Sequence, residues 1–145
     1  MITYDRIDWH TGSNYPKELP FQNGGTHIGM FLTWIINNNL ISSMHLENSK
    51  KSIEKVKARE MTGTQFLIKE CDGKLWSEDL NKEGNSFAHF YYANEKDYGQ
   101  YIDDYANVFN KYETLFHVED NWGNYEKIEP VITKMYNEWK QKISS

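Results

Sequence analysis

The chain has 145 residues, a length that suits one domain, and folding at that size buries roughly two-thirds of the surface the unfolded chain exposes without a disulfide or metal staple. Lys and Arg number 16 against 21 Asp and Glu, a net charge of −5, so the basic excess that carries a nucleic-acid binder onto phosphates is missing. The mean hydropathy of −0.79 is low, but a 15 % share of aromatic residues offsets ordering entropy with large buried rings, which excludes a disordered chain.

Cys71 is the single cysteine. It cannot close an intramolecular disulfide, and a cysteine-based zinc site lacks its other ligands, so a reducing compartment is expected. Beside Asp72 on an apolar stretch, Cys71 reads as a packed small hydrophobe rather than a nucleophile. The opening Met1-Ile2-Thr3-Tyr4-Asp5 has no signal-peptide pattern, and the apolar-rich stretch from Ile28 to Ile36 is far short of the roughly 20 residues a bilayer span needs. The expectation is a soluble cytoplasmic protein with no membrane partner, no nucleic-acid partner and no cofactor.

The first 25 residues carry Gly12, Pro16, Pro20 and Gly24-Gly25, breakers that predict an irregular arm laid over the domain and pinned by Trp9, Tyr15 and Phe21. From Thr26, a predicted N-cap, Ile28, Phe31, Leu32 and Ile35 recur at helical spacing, while Met30, Trp34 and Ile36 fill the other faces. A helix apolar nearly all round predicts the central buried element, ended at Asn37-Asn38-Asn39. Ser49 to Glu60 predicts a charged surface helix. Thr62 with Gln65 resembles a capping box, and the helix through Phe66, Leu67 and Cys71 is expected to stop at Asp72-Gly73.

Ser86 to Tyr92 predicts another helix, with a polar break from Asn94 to Gly99. Tyr101, Ile102, Tyr105, Val108 and Phe109 form an apolar stripe. Tyr125, Ile128, Ile132, Met135 and Trp139 advance by alternating steps of three and four; Pro130 inside that seam predicts either two helices meeting there or one kinked helix. Small extended pairings near Thr3 to Ile7 and Leu115 to Val118 stay open. Together these elements predict an all-α, single-domain bundle of about five to seven helices with an irregular N-terminal arm over residues 1–25.

Five histidines invite a metal reading. Asp5, Asp8 and His10 fall within six residues, His117, Glu119 and Asp120 within four, and His27 opens the central helix. Neither cluster has a spacing tied to a known mechanism, and loop capping by short polar side chains is the plainer account. A metal-assisted hydrolase would use Asp8, His10, His27, His117 and Asp120, and requires the arm, the start of the central helix and the loop before Asp120 to meet at one cleft. Asp103 and Asp104 are adjacent in a helix and diverge by about 100°, so they do not converge on one atom. With Glu119, Asp120, Trp122 and Tyr125 they predict an acidic, aromatic surface suited to a basic protein partner. A third reading has the aromatics burying a homodimer face.

Several phrases carry a resemblance: Tyr4-Asp5-Arg6-Ile7-Asp8-Trp9-His10, Thr26-His27-Ile28-Gly29-Met30-Phe31-Leu32-Thr33-Trp34, Cys71-Asp72-Gly73-Lys74-Leu75, Tyr101-Ile102-Asp103-Asp104-Tyr105, and His117-Val118-Glu119-Asp120-Asn121-Trp122-Gly123-Asn124-Tyr125. The chain resembles a family of small bacterial cytoplasmic proteins without assigned chemistry, associated with the immunity proteins of polymorphic toxins. The resemblance spans nearly the whole chain. It implies a non-catalytic protein that neutralises a cognate toxin, with a basic, nuclease-like partner steered by the negative charge.

Overall fold

The computed structural model describes residues 2–144. Seven α-helices dominate the described residues: α1 (Thr26–Asn37), α2 (Ser43–Asn48), α3 (Lys50–Lys57), α4 (Gly63–Cys71), α5 (Lys82–Tyr91), α6 (Gln100–Val108) and α7 (Trp122–Ser144). Two short strands, β1 (Thr3–Arg6) and β2 (Lys74–Trp76), pair antiparallel, with Thr3 opposite Trp76, Asp5 opposite Leu75 and an irregularity between them. The molecule is mostly helical, as its periodicities predict.

The center is α1, every residue of which from Thr26 to Ile36 is buried. A helix apolar on all sides finds partners on all sides: α4, α3 and α7 pack around it. Its closest neighbour is α4, because Gly29 faces Gly63 and Thr64 with no room between the backbones; a methyl group at Gly29 would fall on the Thr64 nitrogen and hydroxyl. Trp34 is fully buried and keeps its indole N–H satisfied by donating to Thr133 Oγ1 at 2.9 Å. Thr26 is the first helical residue and not the cap. The 3-10 turn Phe21–Gly25 runs straight into the helix, and the Thr26 N–H donates to the Asn23 carbonyl, so no side-chain cap is needed.

At α4 the Thr62 and Gln65 capping box is formed in both directions. Asp72 and Gly73 are both left-handed, with φ of 56° and 73°, and the Gly73 N–H returns to the Leu67 carbonyl at 3.0 Å, which ends the helix and feeds β2. Asn81 caps α5, which starts four residues before the predicted Ser86, its Oδ1 accepting from Gly84 N at 2.8 Å. α2 has only six residues, too short to leave a periodic signal, and is capped by Ser42.

Two local expectations are adjusted, and of the two alternatives open at Pro130 the single helix holds. The start of the arm goes deeper than a surface layer, since Tyr4, Asp5 and Ile7 enter the core; of the three aromatics expected to pin it, Tyr15 packs against Phe116 at 5.3 Å, whereas Trp9 and Phe21 are each more than half exposed. Leu115–His117 is a 3-10 turn rather than an extended strand, because the Thr114 hydroxyl accepts from Phe116 N at 3.2 Å and curls the chain. α7 runs through Pro130 as one helix and does not divide in two. Pro130 lies on the exposed side, where water can serve the carbonyl left without a donor.

Candidate functional site

The interior holds two clusters of acid and imidazole. The first centres on Asp5, fully buried at the inner edge of β1. Its Oδ1 accepts from the Arg6 N–H at 2.9 Å and the Tyr98 hydroxyl at 3.1 Å, and meets His10 Nε2 at 2.6 Å. Its Oδ2 accepts from the Tyr92 hydroxyl at 2.5 Å and meets His27 Nε2 at 3.1 Å. A carboxylate offers about four lone-pair sites, so these groups fill it. Burial alone would raise the Asp5 carboxyl, but hydrogen bonds and charge from His10 and His27 outweigh it and hold the group well below the ordinary carboxylate range. Burial pushes His27 down in turn, toward the neutral ring.

The hydrolase alternative requires His10 and His27 to meet at one cleft, and these two do come together, with rings 4.8 Å apart. The loop before Asp120 also arrives, but its member here is Phe116, whose ring lies 5.6 Å from His10 and 6.2 Å from His27. The other three candidates lie elsewhere. Asp8 is exposed and pairs with Arg6 at 2.7 Å. His117 faces Glu18 and Glu113 at 2.9 and 3.3 Å. Asp120 accepts from Thr62 Oγ1 at 2.8 Å. Asp5 is among the potential ligands of its phrase but not in the hydrolase set, and Tyr92 and Tyr98 carry no sequence signal pointing to it. Tyr98 also walls a cleft of about 1040 Å³ that Trp9 and His89 line from other sides.

The second cluster was not anticipated. His45 from α2, Cys71 at the end of α4 and Asp79 from the 3-10 turn after β2 are all buried, and one donor atom from each lies within 4.8 Å of the others. Burial, with the charges of Asp79 and Glu70, raises the Cys71 thiol, so the sulfur is protonated and is no nucleophile.

The acidic and aromatic residues singled out from sequence are spread along α7. Asp104 accepts from Tyr91 at 2.6 Å, and Gln100 beside it reaches Met135, whereas Asn124 reaches Tyr112 at 3.2 Å, so α6 runs antiparallel to α7. Met135 and Trp122 are 13 residues apart on α7, about 20 Å. Asp103 and Asp104 therefore lie beside the middle of that helix, and Glu119, Asp120 and Trp122 at its start. Tyr125 is 5 % exposed and belongs to the core. At the Trp122 end, the Arg59 guanidinium lies 5.0 Å over the indole and pairs with Glu126 at 2.6 Å. Glu60, Glu119, Asp120 and Glu126 are exposed around that corner.

These features define a mostly helical domain with no helix, among the described residues, long and apolar enough to cross a membrane. The chain belongs to the family described as a domain of unknown function, DUF7832, which matches residues 3–118. That span contains every member of both interior clusters and ends before Glu119. Comparison with curated proteins and with solved structures gave no match.

Proposed function

We propose that this chain is an immunity-type protein: a bacterial, cytoplasmic, non-catalytic domain that binds a cognate toxin and blocks it. The observation that carries this reading is the corner at the start of α7, where Glu119, Asp120 and Glu126 stand exposed near a half-buried Trp122, with Arg59 over the indole and paired with Glu126. An aromatic anchor inside a rim of carboxylates suits a basic protein surface, and the net charge of −5 steers such a partner toward it. An inhibitor needs only that complementarity. The first interior cluster is consistent with this division of labour, since an Asp5 carboxylate filled by five donors has no lone pair left to activate water.

A metal-assisted hydrolase built on Asp8, His10, His27, His117 and Asp120 is the rival, and the separation of Asp8, His117 and Asp120 from the two imidazoles counts against it. Expression of a toxin candidate from the adjacent genes, with and without the chain, tests the reading. Growth restored by the wild-type protein supports it; equal killing in both cultures contradicts it.

A further inference from the structure

We propose that His45, Cys71 and Asp79 form a buried binding site for a thiophilic divalent cation of the zinc type. The three donors are the nitrogen, sulfur and oxygen that zinc takes in proteins, and they come from three separate elements that the fold ties together. Cys71 Sγ lies 3.7 Å from His45 Nε2, close to the separation of about 3.6 Å that two such ligands keep around a tetrahedral zinc ion. Asp79 Oδ1 lies 2.7 Å from the same nitrogen, and a small opening of that contact admits the ion between them.

What distinguishes this cluster from the one around Asp5 is its outer shell. With a cation on Nε2, the His45 proton sits on Nδ1, and Nδ1 faces Ser49 Oγ at 2.9 Å. Ser49 then donates to Glu70 at 3.3 Å, Ser52 donates to the other Glu70 oxygen at 2.5 Å, and the Trp76 N–H donates to Asp79 Oδ2 at 3.0 Å. Every hydrogen in this chain has an acceptor. At the Asp5 cluster the same loading would put a proton on His27 Nδ1, a buried atom with no partner, and would require Asp5 to give up donors it already holds. The third group, Glu18, Glu113 and His117, has the Thr114 hydroxyl behind His117 Nδ1 at 2.7 Å, but both its carboxylates are exposed, so it is an open surface group and not a buried set of donors.

The carboxylates of Asp79 and Glu70 also make the surroundings of Cys71 negative, a field that favours a cation and disfavours a bare thiolate. Binding exchanges the Cys71 thiol proton for the metal–sulfur bond, and the proton leaves to solvent. With all three donors under 8 % exposed, the ion acts as a structural tie between α2, α4 and the turn after β2.

The test is refolding of the full chain with cobalt(II) or zinc(II). Expected are a thiolate-to-cobalt charge-transfer band, about one zinc per chain and a rise in melting temperature that a chelator reverses. Cys71→Ser should abolish the band, Ser49→Ala should weaken zinc about 10- to 100-fold, and His10→Ala should change neither. Absence of the band and of retained zinc in the wild-type protein overturns the proposal without need of any variant. Bound metal without a thiolate band, or a metal content that falls in His10→Ala, overturns it as well by placing the ion elsewhere.

Discussion

Asp5 and Asp79 are both buried carboxylates facing imidazoles, yet their surroundings differ in kind. Asp5 is filled by hydrogen bonds from Arg6, His10, His27, Tyr92 and Tyr98, which tie β1 to α1 and to the chain on either side of the loop after α5. Asp79 takes the Trp76 N–H and faces His45, with a soft sulfur beside it and a hydroxyl relay leading out to Glu70. A filled acid fixes topology and has nothing more to bind. An acid with fewer donors, next to nitrogen and sulfur, keeps capacity for a cation. The same two residue types thus serve two ends, decided by how many donors the fold brings to each.

Substitutions can break or sharpen that contrast. The largest effect is expected from Asp5→Asn, which leaves the histidine and tyrosine donors facing a neutral amide; a loss of about 3–5 kcal/mol by urea unfolding is expected. Asp79→Asn in metal-free protein should cost about 2 kcal/mol, and equal losses at the two positions would erase the distinction. Gly29→Ala should cost about 3 kcal/mol, because the α1 and α4 backbones must part, and calorimetric melting reads it. Tyr92→Phe removes one charge-assisted hydrogen bond and should cost about 2 kcal/mol by the same unfolding assay.

The smallest effect is that of pH. His27 has a folded pKa below its unfolded value, so the unfolded chain takes up that proton first and stability declines as pH falls below about 6.5. Asp5 is also depressed, so its contribution is complete above about pH 4 and is lost as pH drops through the folded value. Melting temperatures should therefore fall from pH 7 to 5 and again below 4; a flat profile would count against the charged Asp5 hub.

Much of the fold was legible in the chain. The uniformly apolar run from Ile28 to Ile36 specified the buried central helix, and Thr62, Gln65, Asp72 and Gly73 marked both ends of α4. What escaped was short or long-range. α2 has fewer than two turns, and β1 finds its partner some 70 residues away. The seam of α7 was clear, but a proline on its solvent side does less damage than one in a buried turn. The interior clusters lack local spacing: His45, Cys71 and Asp79 are drawn from three elements, and Tyr92 and Tyr98 read as core aromatics until their hydroxyls are seen to turn toward Asp5. Among the acidic residues, nothing in the sequence indicates that Asp104 lies beside the middle of α7, and Tyr125 goes to the core with the seam it opens rather than to that surface.

The central claim is that interior acids and imidazoles hold the fold while an acidic corner does the work, and one paired measurement tests it. Protection against the toxin proposed as partner and melting temperature would be recorded together for the double variant Glu119→Lys, Asp120→Lys and for Tyr98→Phe. The account expects the double variant to melt like the wild type and fail to protect, and Tyr98→Phe to protect fully despite a slightly lower melting temperature. Protection lost in a well-folded Tyr98→Phe, with the charge-reversed corner still protecting, would contradict it.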